Sequence, residues 1–218
     1  MRVLIACEES QAVCIEFRKL GFEAFSCDIQ ECSGGHPEWH YQQDVFDVIA
    51  MGWDCMISFP PCTHLAVSGA AWFEQKRKDG RQKQGIDFFM QMINAPIKHI
   101  AIENPIGIMS KIYKPPTQII QPFYFGDNTK KTTCLWLKNL PKLYHNENVN
   151  LFDREITHVE PVLIEYASKK SKSGKRNYSG AAAQWFKTKE ERSKARSKTF
   201  PGIAKAMATQ WGEYLTPN

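Results

Sequence analysis

Short apolar runs alternate with helix-spaced stretches through the first 140 residues, and this alternation constrains the fold more than any other feature. "RVLIA" (2–6) reads as a strand, and "QAVCIEFRKLG" carries Val13, Phe17 and Leu20 at helical spacing before stopping at Gly21. "FEAFSC" (22–27) is a second strand ending on Asp28, and "DCMIS" (54–58) is a third. "IDFFMQMI" sets Ile86, Phe89, Met90 and Ile93 on one helix face. "KHIAI" (98–102) then runs as a strand into Glu103, and "TTCLWL" (132–137) alternates like a later strand. Such repetition argues for an α/β fold with a mostly parallel sheet and helices on both faces. Ligands of such sheets bind beyond the carboxyl ends of the strands. The unusual residues of this chain all follow strands directly: Cys7-Glu8-Glu9, Asp28, Pro60-Pro61-Cys62 and Glu103-Asn104-Pro105. They are expected to share one edge.

The pattern breaks near residue 138. "KNLPKLYHNENVN" is turn-rich, and "YASKKSKSGKRNYSG" is basic with no apolar face to bury. Periodicity returns in "FPGIAKAMATQWGEYL", where Pro201 suits a first helical turn and Ile203, Met207, Trp211 and Tyr214 mark an apolar face. The expected organisation is one body from 1–140 plus 197–218, carrying a small basic segment at 141–196. Residues 165–205 hold twelve Lys/Arg against three Glu, and "KRKDGRQK" occupies 76–83, within a net charge of +5. Basic segments of that density suit a polyanion, although they also occur as plain solvated surface. No apolar run reaches membrane-spanning length, and seven scattered cysteines without a secretory leader read as reduced thiols of a cytoplasmic protein. No obligate protein partner is evident.

Four positions could carry chemistry. Two prolines before Cys62 forbid ladder pairing and fix the direction in which the chain leaves the sheet, which suits an attacking thiol; a buried packing cysteine is the bland alternative. Glu103, between a strand end and a proline, could donate a proton to a ring nitrogen if a pocket raised its pKa, or could simply accept loop amides. Asp28 ends the second strand, where a carboxylate can take ribose hydroxyls, and Asp44 could accept from an adenine amino group; both residues are also common in turns. Cys27, Cys32, His36 and His40 offer C-x4-C-x3-H-x3-H, but the inner gap of three residues is far short of a zinc finger's spacer, so no metal is expected.

Taken in order, these segments resemble the DNA cytosine-5 methyltransferase family. "VLIACEESQAVCIEFRKLGFEAFSCDI" follows that family's cofactor-binding opening, and "QDVFD" resembles its short third motif. "WDCMISFPPCTHLAVSG" matches the nucleophile motif in length, "KHIAIENP" the Glu-Asn motif, and "QPFYFGDNTKKTTCLWL" the aromatic-Gly segment. "KTFPGIAKAMATQWG" is similar to the closing C-terminal helix. The resemblance covers about 1–140 and 197–214. It implies a Rossmann-like methyltransferase sheet, S-adenosylmethionine as cofactor, and DNA as partner, in a small bacterial or phage-type enzyme. Cys62, Glu103 and Asn104 would be catalytic. Ala6, Cys7, Glu8, Asp28, Ile29, Asp44, Pro60 and Pro61 would line the cofactor site, and Lys76, Arg77, Lys130, Lys131, Lys175 and Arg176 would meet nucleic acid. The chain departs from the family where Cys7-Glu8-Glu9-Ser10 replaces a glycine-rich loop, Thr63 follows the cysteine, and Lys130-Lys131 stand for paired arginines. The recognition region is also unusually short. Three rivals follow: an amino-group methyltransferase, disfavoured by Phe59 and Cys62 where an acceptor and a stacking aromatic are needed; an enzyme of free or modified pyrimidine nucleotides; and a DNA-binding homologue without catalysis.

Overall fold

A computed structural model describes residues 1–145, 158–161, 163–165, 178–180, 188 and 197–216. The basic positions Lys175 and Arg176 lie outside them. Seven strands form one sheet in the order β3-β2-β1-β4-β5-β7-β6. These are β1 (Arg2–Ala6), β2 (Glu23–Asp28), β3 (His40–Gln42), β4 (Cys55–Ser58), β5 (His99–Pro105), β6 (Gln118–Ile120) and β7 (Thr133–Lys138). Strands β1 to β5 run parallel, and β7 inserts antiparallel between β5 and β6. This is a Rossmann-like α/β sheet, as the resemblance implied.

Burial follows the pleat. Val3, Ile5, Ile57, Ala101 and Leu135 face α1 (Ala12–Lys19) and the C-terminal helix, while Leu4, Met56, Ile100, Ile102 and Trp136 face α2 (Val45–Ile49), α4 (Arg81–Ile93) and α5 (Met109–Ile112). A further short helix, α3 (Phe73–Lys78), precedes α4. The central strands are buried on both faces and accordingly read as continuous apolar runs. Strand order reverses between β1 and β4, so the loops after these two neighbours open the crevice where such sheets bind ligands. Among the described residues no helix is long and apolar enough to cross a membrane. In the 141–196 segment, β8 (Leu163–Glu165) pairs antiparallel with β9 (Tyr178–Gly180).

Several expectations need correction. Strand β5 does not stop at Ile102 but continues to Pro105, because Glu103, Asn104 and Pro105 lie in register with Leu135, Cys134 and Thr133. Leu20 caps α1 and is exposed, and Cys14 takes its place in the core. The C-terminal helix starts as α6 (Pro201–Ala206), passes through a π turn at Met207–Trp211 and ends as α7 (Gly212–Leu215). A π turn uses more than 3.6 residues, so the buried series runs at intervals of four through Ile203, Met207, Trp211 and Leu215, and Tyr214 is turned outward.

Candidate active site

The carboxyl ends of β1, β2, β4 and β5 form one edge, and the strand-end residues gather there. After Ser58 the chain stays beside β1 for one residue, with Phe59 N–H donating to Ala6 O at 2.9 Å. Pro60 and Pro61 then carry it off the sheet, as a residue without an amide hydrogen must. Cys62 follows, half-buried, and its carbonyl accepts from Leu65 N and Ala66 N at 3.0 Å each, so the chain turns immediately behind the thiol.

Glu103 and Asn104 sit on opposite faces of β5. Glu103, two residues beyond Ala101, faces the C-terminal helix and opens into a cleft lined by Phe59, Lys131, Thr133, Phe200 and Met207. Asn104 faces the other way and is only 1% exposed. Its Nδ2 donates to Pro60 O at 3.1 Å and to Glu103 O at 3.1 Å. Asn104, expected among the catalytic groups, ties the Pro-Pro-Cys segment to β5 through this amide.

Two more ties complete this pairing. Val67 N donates to Ile106 O at 3.0 Å and Ile108 N to Leu65 O at 3.0 Å. The approach is close enough that a Cβ on Gly107 would meet Leu65 O at 2.4 Å, which is why glycine stands there.

The electrostatics couple the two groups. Burial pushes the Cys62 thiol up, the Glu103 carboxylate pushes it further, and Lys131 and the residue's own amide oppose the rise. Burial likewise raises Glu103, against Lys131 and the Thr133 hydroxyl. Thiol, carboxyl and ammonium therefore share one field. Lys131 lies half-buried with its Nζ 5.6 Å from the Phe200 ring, in contact with the site rather than displayed on the surface. Lys76 also departs from the expected surface contact. It is 7% exposed, and its Nζ donates to Thr63 O at 2.6 Å, bracing the loop behind Cys62 from α3. Arg77 and Lys130 are exposed. No periodic signal marks an inward lysine on a six-residue charged helix; Lys131 was visible only as a charge beside a strand.

At the other end of the edge, one Asp28 oxygen accepts from Gln30 N at 2.9 Å, and its second oxygen makes no hydrogen bond with the described residues. Ile29 beside it is 77% exposed. Asp44 caps α2 through Phe46 N at 2.9 Å and remains exposed. An open carboxylate oxygen, an exposed apolar side chain and a second acid fit the sugar and base of a nucleoside. Cys7, in place of glycine, adopts a left-handed conformation with φ of 59°. In the C-x4-C-x3-H-x3-H segment, both ring nitrogens of His40 are engaged, by Ser26 Oγ at 2.8 Å and Gln30 O at 2.9 Å, while His36 stacks on Trp39. Those imidazoles serve the β2–β3 connection.

No family model matches the chain, and no curated protein matches it. Among solved structures it is similar to a "putative DNA modification methyltransferase encoded within prophage" from E. coli, at 17% identity and a TM-score of 0.43 over 63% of this chain. The chain spans 46% of that protein's length. A likeness at this level carries no functional weight.

Proposed function

We propose that this protein transfers a methyl group from S-adenosylmethionine to C5 of cytosine in DNA. The observation that carries the proposal is the convergence of Cys62, Glu103 and Lys131 at the sheet edge where such folds bind ligands. Cytosine C5 is a weak nucleophile. Bonding of the Cys62 sulfur to C6, with a proton moving from Glu103 to N3, makes C5 electron-rich. The cofactor supplies the electrophilic methyl group that C5 accepts. Loss of the C5 proton to solvent then restores the ring double bond and expels the Cys62 sulfur, and the N3 proton returns to Glu103. Glu103 suits its part because burial pushes its carboxyl above the ordinary carboxylate range, which favours the proton-bearing form. Lys131 favours the thiolate during attack.

Asp28, Ile29 and Asp44 would hold the adenosine of the cofactor, and the loop from Cys7 would meet its amino-acid end. In duplex DNA the base must leave the stack at a cost of a few kcal/mol, which basic contacts from Arg77, Lys130 and the 141–196 segment would offset.

The test is incubation with methyl-labelled S-adenosylmethionine and, separately, duplex DNA, single-stranded DNA and dCMP, followed by digestion and identification of the labelled base. Label at C5 of cytosine in DNA is the expected result. Label on an exocyclic amine, label only on dCMP, or full activity in Cys62→Ser would each overturn the proposal.

A further inference from the structure

The loop that follows β1 contains a carboxylate that occupies a helix N-terminus from outside its helix. Glu8 is 4% exposed, and both of its oxygens are used. Oε1 accepts from Val13 N at 2.8 Å and Oε2 from Cys14 N at 3.3 Å. These amides belong to the first turn of α1, where unpaired N–H groups and the helix dipole otherwise attract an anion. Burial is the main cause that pushes the Glu8 carboxyl up to about 7, while the two amides pull it down.

The side chain is locked in place from several directions. Glu8 N donates to Cys27 O at 3.1 Å, and Ser33 N donates to Glu9 O at 2.8 Å. Gln11, itself fully buried, exchanges two hydrogen bonds with the backbone of His36 at 2.8 and 3.0 Å. A Cβ on Gly34 would come within 2.5 Å of Gln11 Cβ, so the segment after β2 presses directly on this loop. Displacing Glu8 would mean opening that packing.

We infer that Glu8 takes the place of a ligand carboxylate at the start of α1, so that S-adenosylmethionine is recognised here through its adenosine and its cationic groups and not through its methionine carboxylate. The inference rests on the methyltransferase reading above. A cofactor carboxylate brought to this turn would find two amides occupied and the like charge of Glu8 beside it, with Glu9 adjacent in the chain. The sulfonium and ammonium groups face no such penalty from two acidic neighbours.

Isothermal titration of the full-length protein with S-adenosylmethionine and with its decarboxylated analogue tests this directly. The two ligands are expected to bind within about threefold of each other. A carboxylate held by two amides would instead be worth about tenfold or more. Weakening of that size in the analogue would overturn the inference and leave the methyltransferase reading intact. Failure of both ligands to bind would overturn that reading and the inference with it. In Glu8→Ser the freed amides should now favour the carboxylate, raising the preference for S-adenosylmethionine at least about fivefold. An unchanged ratio in a folded Glu8→Ser protein would rule out Glu8 as the cause. Glu8→Gln, which keeps one acceptor but loses the second and the charge, should give a ratio between those of wild type and Glu8→Ser.

Discussion

Replacing Asn104 with alanine tests whether the site is held by geometry or by direct chemistry. The amide is 1% exposed and makes two 3.1 Å hydrogen bonds, one of them to the buried Pro60 carbonyl. Removing the donor leaves a buried carbonyl unsatisfied, at roughly 1–3 kcal/mol. The truncated side chain also leaves a small cavity, which places the total near the upper part of that range. For a chain of this size a loss of about 2–3 kcal/mol lowers the melting temperature by roughly 4–12 °C. Release of Pro60 also frees Cys62 two residues on, and a 1 Å misplacement of a reacting group can cost about a hundredfold in rate. Differential scanning calorimetry, single-turnover methyl transfer and DNA affinity should be measured together. Melting and turnover should both fall while DNA affinity changes by less than about threefold. Asn104→Asp sharpens the result, because its carboxyl can donate to Pro60 O only when protonated. That variant should lose stability as the pH rises from 5 to 8. An Asn104→Ala protein that melts like wild type but has lost turnover would refute the tie to Pro60 and make Asn104 a catalytic residue.

Gly107→Ala should cost roughly 1–3 kcal/mol in urea unfolding, because the new Cβ lies 2.4 Å from Leu65 O and breaks the 3.0 Å Ile108–Leu65 bond; an unshifted midpoint would refute the close approach. Glu8 sits at about 7 in the folded chain against 4.5 when unperturbed. Its folded-state proton therefore stabilises fully below about pH 4.5, and that contribution is lost as pH rises through 7. Relative to Glu8→Gln, wild type should weaken by roughly 3 kcal/mol between pH 5 and 8, and parallel pH curves would refute the burial argument. Iodoacetamide at pH 8 should modify the half-buried Cys32 and Cys62 before Cys14, Cys27 and Cys55, whose thiols burial pushes up to about 12, and Cys134, pushed to about 11. In Lys131→Met the alkylation profile of Cys62 should move to higher pH, and an unmoved profile would remove Lys131 from the site.

What the sequence made legible was what repeats. The long apolar strands and α4 declare themselves by period, and their order places Cys62 and Glu103 on one edge. Strand β3, with three residues, and α2, with five, are too short to show a period, and both were missed. Tyr214 was misplaced because a π turn breaks the 3.6-residue count on which the expectation depended. The roles of Asn104 and Lys76 were hidden for another reason. Each depends on a carbonyl contributed by a different part of the chain, Pro60 for one and Thr63 for the other, and no local pattern encodes that meeting.

These meetings bear on how a thiol raised by burial could attack. The Glu103 carboxylate makes the Cys62 thiolate less favourable, so a proton on Glu103 favours the thiolate, and Lys131 favours it further. Thiolate with neutral carboxyl, the distribution needed for attack, is the minor of the two that carry a single proton, because the thiol is the weaker acid and Lys131 favours both anions. Such a balance works only while the three groups keep their separation, since electrostatic energies in a half-buried site change steeply with distance. Phe59–Ala6, Asn104–Pro60, Val67–Ile106 and Ile108–Leu65 join the end of β1 and the loops after β4 and β5 into one braced unit. On this account the sheet serves the chemistry by fixing where the thiol stands, and its ionisation follows from the neighbours that this fixed position supplies.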